Sequence, residues 1–387
     1  MSKTVKKTYR YRFYPTDDQE DLLRRTFGCV RYVYNRALEA RVESWKSNRR
    51  TLTYSESSAL LTDWKKDPEL DFLNQVSSVP LQQSLRHLQV GFTRFRAKKS
   101  AHPRFKSKRR SAQRAEFTNS AFTWNGQQLK LAKSRSPLKI VWSRPLPQGA
   151  EPSTVTVGLD RAGRWHVSIL FETSVAPTPV AKATAVAIDL GIHSLATLST
   201  GEKVTNPQFY KRDRRRIAKA HSTLNRKVKG SANHERARKR LARAHAKVAD
   251  RRRDHLHKLS TRLIRENQTI VLEDLAVENL KRNGGKAKTG INRSISDAAW
   301  GQLRSLLEYK AGWQDRNLII VDRFFPSSQL CSSCGARSGP TTLTVRQWSC
   351  DCGAFNDRDV NAARNILAAG LAATVCGGDR SRIRTPL

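Results

Sequence analysis

The sequence lacks any apolar run long enough to cross a membrane. No segment approaches the roughly 18 to 20 apolar residues that a spanning helix needs. The first residues, MSKTVKKTYRYRFYP, also lack the apolar stretch of a secretory signal peptide. We therefore expect a protein that is neither inserted into membranes nor secreted.

Cysteine is scarce, and its distribution argues against a disulfide framework. Four of the six cysteines are clustered, whereas Cys29 and Cys376 stand alone. This usage favours a reducing cytoplasm.

Acidic residues are also few, at 33 Asp and Glu against 72 Lys and Arg, which gives a formal net charge of +39. Such an excess is expected of a protein that makes many contacts with nucleic-acid phosphates. The length of 387 residues allows two or more domains.

The clustered cysteines have the spacing of a zinc ribbon. Cys331 and Cys334 form a C-x2-C pair, and Cys350 and Cys352 form a C-x-C pair after a spacer of fifteen residues. The second pair is one residue shorter than usual. Two alternatives therefore stay open: reduced buried cysteines, or a ribbon that has lost its metal.

The N-terminal half alternates between β and α patterns. Tyr9, Tyr11 and Phe13 alternate with arginines as in a strand, and Thr16 and Gln19 predict a helix capping box. Helical patterns then continue to about residue 99. Short alternating runs from 115 to 174 predict antiparallel strands, which together with the first strand would form a small barrel interrupted by a helical insertion.

A basic segment joins these two patterns. It interleaves cations with aromatic and proline residues, as in a phosphate-binding track, although a solvated linker is the alternative. The candidate phosphate contacts are Arg104, Lys106, Lys108, Arg109 and Arg110.

Two carboxylates in the second half follow or interrupt buried strand patterns. Asp189 lies in an apolar run, where a charge rarely serves packing; an exposed strand residue or a turn former is the alternative. Glu273 directly follows Ile-Val-Leu and is the better metal-ligand candidate than Asp274, which we expect to face outward or to cap a turn.

A third carboxylate is predicted on a helix after the cysteines. At helical spacing Asp359 shares the apolar face with Ile366, whereas Asp357 shares the polar face with Asn361 and reads as a solvated cap. Gly370 is the expected helix end.

Other segments connect these motifs. The pattern predicts two basic helices separated at Gly230, a mobile loop at 281–294, a helix that Ser296 or Asp297 caps, and a disordered basic tail after Cys376.

Three carboxylates on separate elements of an α/β region suit a two-metal phosphodiester nuclease, which uses a pair of hard cations such as Mg²⁺. The sequence also resembles the TnpB (OrfB) proteins of insertion sequences, relatives of type V CRISPR effectors. The resemblance is carried by FGCVRYVYNRAL, AIDLGIHSLATLS, IVLEDL, NRSISDAAW, DRFFPSSQLCSSCG and DRDVNAARNI.

The resemblance implies an α/β fold in which an RNase H-like RuvC nuclease domain holds an inserted zinc ribbon. It also implies an N-terminal β-barrel wedge domain interrupted by a helical recognition lobe. The implied ranges are wedge 1–15 and 113–180, recognition lobe 16–112, nuclease 181–328 and 355–370, ribbon 329–354, and tail 371–387.

The implied activity is RNA-guided cleavage of double-stranded DNA next to a short motif, with Asp189, Glu273 and Asp359 as catalytic ligands of two Mg²⁺ or Mn²⁺ ions. A transposon-end guide RNA and target DNA are the implied partners, and we expect a cytoplasmic, nucleoid-associated monomer. The residues that could touch the motif are Tyr54, Ser58, Gln82 and Gln83. A non-cleaving regulator and a transposase-type recombinase remain the alternatives.

Overall fold

The computed structural model describes residues 3–147, 149, 151–180, 184–281, 288–340, 342 and 344–375. Two compact units are present, one formed by residues 4–174 and the other containing the described residues from Val175 onward. None of the described helices is both long and apolar enough to span a bilayer. The prediction of a disordered tail at 371–387 was wrong for residues 371–375, which belong to the last described helix, Arg358–Val375, and residues 376–387 lie outside the described residues.

The first unit combines three helices with an antiparallel sheet. Two short 3-10 helices, Pro68–Leu73 and Asn119–Ala121, connect the regular elements. In chain order these elements are β1 (Lys3–Tyr14), α1 (Asp17–Asn48), α2 (Tyr54–Lys66), α3 (Ser78–Arg96), β2 (Gln113–Thr118), β3 (Phe122–Trp124), β4 (Leu129–Leu131), β5 (Lys139–Val141), β6 (Pro152–Leu159) and β7 (Trp165–Val175).

The first strand of this unit pairs with strands that come after the helices. The sheet order is β2-β6-β7-β1-β5, and β3 pairs with β4 in a separate hairpin. Tyr11 and Phe13 of β1 are buried with Val155 and Ile169 in the sheet core. The helical segment is therefore inserted between strands of one sheet. Since β2 and β5 are the ends of the order, barrel closure stays a prediction.

The predicted capping box is confirmed at the start of α1. Gln19 N donates to Thr16 Oγ1 at 3.4 Å, and Thr16 N donates to Gln19 Oε1 at 3.2 Å. These reciprocal bonds satisfy backbone groups that the helix leaves open, and they fix where the chain turns from β1 into α1.

The second unit is built on a mixed sheet. In chain order its elements are β8 (Ala185–Asp189), β9 (Ser194–Leu198), β10 (Lys203–Thr205), α4 (Phe209–Asn225), α5 (Ala232–Glu266), β11 (Thr269–Glu273), α6 (Val277–Lys281), α7 (Thr289–Ala298), α8 (Trp300–Gln314), β12 (Asn317–Val321), β13 (Gln347–Ser349), β14 (Phe355–Asp357) and α9 (Arg358–Val375). The sheet order is β10-β9-β8-β11-β12, with β8, β11 and β12 parallel and β9 and β10 antiparallel to their neighbours.

Helices cover both faces of this sheet. Val186 and Ile188 of β8 pack with α5 and α8 residues such as Leu263 and Leu307. Ala187, on the opposite face, packs with Ile366 of α9. This alternation follows from the two-residue period of a strand.

Helix α9 approaches the sheet closely at Gly370. A Cβ atom on Gly370 would lie 2.5 Å from Val271 Cγ1, so only glycine fits at this contact. The prediction that Gly370 ends the helix was therefore wrong, because the glycine serves packing and α9 continues to Val375.

The segment before β12 also differs from the prediction. Residues 282–287 of the predicted mobile loop lie outside the described residues, but Thr289–Ala298 is helix α7. Ala299 has φ +55° and separates α7 from α8, so neither Ser296 nor Asp297 caps the second helix. Instead, Asp297 accepts the Tyr210 backbone N–H at 2.9 Å and thereby caps α4.

Candidate active site and metal centre

Two of the predicted carboxylates end neighbouring parallel strands. Asp189 is the last residue of β8 and Glu273 the last of β11, directly after the paired residues Ile188 and Leu272. Since side chains alternate along a strand, both carboxylates lie on the sheet face that α9 covers. The apolar strands thus deliver two half-buried acids to one edge of the sheet.

The third carboxylate, Asp359, lies in the first turn of α9. Arg346 Nη1 donates to Asp359 Oδ1 at 3.3 Å. Burial first, and then the charge of Asp359, raise the pKa of Asp189 to about 7. Asp359 is therefore an electrostatic neighbour of Asp189.

Glu273 also interacts with Asp189. Burial, followed by the charges of Asp189 and Asp274, raises the pKa of Glu273 to about 7. Asp189 thus interacts with both other acids. The three carboxylates do not form a single ligand set, because among the described residues only the cysteines place three or more ligand atoms within 4.8 Å of one another.

The two rival aspartates have structural roles. Asp357 Oδ1 accepts the Val360 N–H at 3.1 Å and Oδ2 accepts Lys203 Nζ at 2.6 Å, so it is a cap that also forms an ion pair. Asp274 forms ion pairs with Arg304 and Arg323. Asp274 is partly exposed, and the two arginines hold it just after β11.

The prediction for the polar face of α9 also needs correction. Asn361 is 1% exposed: its Oδ1 accepts the Ser332 N–H at 2.8 Å, and its Nδ2 donates to the Leu330 carbonyl at 2.7 Å. Asn365 donates to the Ser327 carbonyl at 2.8 Å. These amides fasten the segment before the cysteines to α9, so this face is buried and polar.

The four clustered cysteines converge on one point. Cys331 Sγ lies 3.8 Å from Cys352 Sγ, and Cys334 Sγ lies 3.6 Å from Cys350 Sγ. Thiolates at ~2.3 Å from a tetrahedral zinc lie about 3.8 Å apart, so the observed separations fit this ion. The cluster could bind zinc even though its second pair is shortened.

Backbone turns accommodate the shortened pair. Gly353 follows Cys352 at φ +84° and donates its N–H to the Cys350 carbonyl at 2.9 Å. In the first pair, hydrogen bonds led by the Cys334 N–H lower the pKa of Cys331 to about 6. A lowered pKa favours the thiolate form that metals bind.

The residues predicted to contact nucleic acid lie on the helices and connecting segment of the first unit. Tyr54 begins α2 and its hydroxyl accepts Arg86 Nε at 3.3 Å; Ser58 is half-buried on the same helix. On α3, Gln82 is exposed whereas Gln83 is buried. The side chains of Arg104, Lys108, Arg109 and Arg110 are exposed.

Lys106 differs from these exposed cations. Its Nζ lies 3.6 Å from the centroid of the Tyr34 ring, and burial lowers its pKa to about 8. The side chain therefore points into the unit, whereas the other four cations point outward.

Sequence reasoning missed Arg346 as a partner of Asp359 and Asn361 as an anchor of the cysteine segment. Arg346 follows a run of threonines and has no periodic signal. Asn361 lies on a helix that the sequence predicted. Its burial could not be predicted, because a buried amide has the same sequence pattern as an exposed one until its backbone partners are known.

Comparisons with known families match most of the chain. A model described as "Probable transposase" (OrfB_IS605) matches residues 168–284, and a model described as "Cas12f1-like, TNB domain" matches residues 300–366. A "Helix-turn-helix domain" model (HTH_OrfB_IS605) matches residues 1–50.

Two relatives align along nearly their whole length. "Putative RNA-guided DNA endonuclease" of Streptomyces pristinaespiralis is 60% identical over 97% of this chain and 92% of its own length. "Putative RNA-guided DNA endonuclease InsQ" of Escherichia coli K12 is 33% identical over 95% and 93%. The solved "Cryo-EM structure of the Cas12f1-sgRNA-target DNA complex" aligns with 94% of this chain and 99% of the other, at 14% identity and a TM-score of 0.34, too low to establish a common fold.

Proposed function

We propose a function from the premise that the chain belongs to the TnpB/OrfB family, as 60% identity over 97% of its length shows. We infer that it is an insertion-sequence-encoded, RNA-guided endonuclease that cuts double-stranded DNA next to a short motif. The second unit would be the RuvC-like nuclease domain, since the parallel strands β8, β11 and β12 next to the antiparallel strands β9 and β10, in this order, suit an RNase H-like fold. The sheet and helices of the first unit would be the wedge and recognition lobe.

The observation that carries the proposal is the position of Asp189 and Glu273 at one edge of the sheet, on the face that α9 covers, with Asp359 in the first turn of α9. Asp189 interacts electrostatically with both other acids, and the pKa values of Asp189 and Glu273 are raised to about 7. Closely placed buried carboxylates destabilise one another unless cations offset their charge. The donor set therefore fits hard divalent ions such as Mg²⁺ or Mn²⁺.

Asp189 would be shared by two ions, with Glu273 and Asp359 on either side. This assignment agrees with the spacing of the three carboxylates, whose oxygen atoms do not all lie within 4.8 Å of one another. A pair of bound ions would supply an activated water and stabilise the leaving oxygen of the phosphodiester. Arg346, which binds Asp359, would hold that carboxylate in orientation before the ions enter.

The remaining charge of the chain would bind the nucleic acids. With 72 Lys and Arg against 33 Asp and Glu, phosphate contacts can hold guide RNA and DNA independently of the acidic site. Guide pairing would read the target, while Tyr54, Ser58, Gln82 and Gln83 would contact the adjacent motif. We further propose that the protein acts as a monomer in the cytoplasm, on the nucleoid.

The four cysteines would hold a structural zinc ion. Their separations suit zinc, and a closed set of four thiolates leaves no position for substrate. The ion would fix the segment that Asn361 fastens to α9, close to Asp359 in sequence.

Reconstituted cleavage tests the proposal. The RNA that copurifies with the protein would be sequenced and resynthesised, and plasmids carrying its complement beside randomised flanks would be incubated with Mg²⁺ or with EDTA. We expect double-strand breaks only with Mg²⁺ and a matching guide. Binding without any cut would favour a regulator, and strand-transfer products would favour a recombinase.

A further inference from the structure

The first unit contains a cavity that the catalytic proposal does not use. Its volume is about 510 Å³, and α1, α3, β2 and the segment preceding β2 contribute its walls. This volume is within the range of sites that hold small organic ligands.

A buried amide opens into this cavity. Gln83 lines it and is 8% exposed, yet its side chain has no hydrogen bond to any residue in the described part of the chain. The amide of Gln83 is accessible from the cavity, so it can exchange hydrogen bonds with a ligand that has complementary polar groups. Its neighbour Gln82 is exposed and does not line the cavity.

Lys106 places a positive charge in the same cavity. Its ammonium contacts the Tyr34 ring and forms no ion pair with a described residue. Burial lowers its pKa, as expected when no acid offsets the charge. An anionic ligand would supply the missing counter-charge.

Other cationic residues also line the cavity. Arg31, Lys108 and Arg114 lie around the cavity, and Glu116 is its acidic member. Glu116 is already engaged, since its Oε2 lies 3.2 Å from His87 Nε2. The cavity thus combines several positive charges with a neutral amide, which suits a ligand that has an anionic part and a polar planar part.

We propose that this cavity binds one nucleotide turned out from a bound strand, with its phosphate near Lys106 and its base edge on the Gln83 amide. The inference rests on the proposed nucleic-acid binding and adds a specific nucleotide site. Gln and Lys are suited to these roles because an amide pairs with base edges and an ammonium with phosphate.

Titration of the full chain with nucleoside 5′-monophosphates, the matching nucleosides and inorganic phosphate would test this, with ligand-observed NMR as readout. Ribose and deoxyribose forms of each base would distinguish RNA from DNA. We expect Gln83→Leu to weaken monophosphate and nucleoside binding about tenfold. Lys106→Gln should weaken monophosphate binding by a similar factor while leaving nucleoside binding within about twofold.

Gln127→Leu and Lys130→Gln are the matched controls, because both residues are exposed and lie outside the cavity lining. They should bind as the wild type does, and thermal melting would confirm that all four variants fold. Equal binding by Gln83→Leu and Gln127→Leu, or no saturable binding of any nucleotide, would overturn the proposal. Guided cleavage that persists in that case would leave the endonuclease proposal intact.

Discussion

Lys203 on β10 and Asp357 at the start of α9 form an ion pair of 2.6 Å, which gives Asp357 a structural position distinct from that of Asp359. Two residues farther along, Asp359 accepts a hydrogen bond from Arg346, and its charge helps to raise the pKa of Asp189. Two aspartates in one short segment therefore serve different purposes.

The first prediction separates these aspartates. Asp359→Ala should abolish guided cleavage, as should Asp189→Ala and Glu273→Ala, while RNA and DNA affinity stays within about threefold because cationic contacts hold the strands. Asp357→Ala should keep most of the activity and cost about 1 kcal/mol of stability through the lost helix cap. Cleavage and filter binding would be measured in parallel. An inactive Asp357→Ala beside an active Asp359→Ala would reverse the assignment.

The second prediction concerns pH. The pKa of Asp189 is raised to about 7 by burial and by Asp359, whereas an unfolded aspartate titrates at ~3.9. Between these values the folded chain keeps a proton that the unfolded chain releases. The stability that this protonation provides is therefore present below about pH 4 and is lost as pH rises through about 7.

In EDTA, the melting temperature of the wild type should fall more steeply between about pH 5 and about pH 8 than that of Asp189→Asn, which does not titrate. Adding Mg²⁺ should raise the wild-type melting temperature most at the upper end, where the ionised carboxylates bind cations. Parallel pH profiles for the two proteins would show that Asp189 keeps an ordinary pKa.

The third prediction addresses the cysteine cluster. Purified protein should contain about one zinc per chain, and Cys334→Ser should lose most of it because three thiolates close the site poorly. Cys29→Ser is the matched control, since Cys29 is buried among the helices of the first unit. Elemental analysis would measure the metal. Less than about half an equivalent in the wild type would leave the cysteines as reduced thiols.

The fourth prediction concerns Asp297, whose carboxylate lies 2.7 Å from Arg252 and is 6% exposed. Asp297→Ala would leave the partly buried Arg252 without this ion pair and would uncap α4, and should cost about 3 kcal/mol of unfolding free energy. Asp254→Ala, which removes an exposed pair with Lys258, should cost less than about 1 kcal/mol. Urea unfolding would compare them. Equal losses would show that the buried pair adds nothing beyond a surface contact.

Much of the sequence prediction rested on local patterns. The capping box of Thr16 and Gln19 needs only four residues, and strand patterning placed Glu273 at the end of a buried run. Asp189 was expected inside an apolar run, but it is the last residue of β8. Contacts between distant segments could not be read in this way. Asp297 caps a helix that begins at Phe209, and a cap at such a distance leaves no periodic trace in the sequence. Resemblance supplied the domain plan, which pattern alone left open.

The absence of a side chain at Gly370 has a further consequence for how this protein can vary. A methyl group there would collide with Val271 and push the C-terminal half of α9 away from the sheet, which would tilt the helix. Asp359 lies three turns away near the other end of α9, so the tilt would also displace its carboxylate. We therefore expect substitutions of Gly370 to impair the acidic site although Gly370 is not part of it.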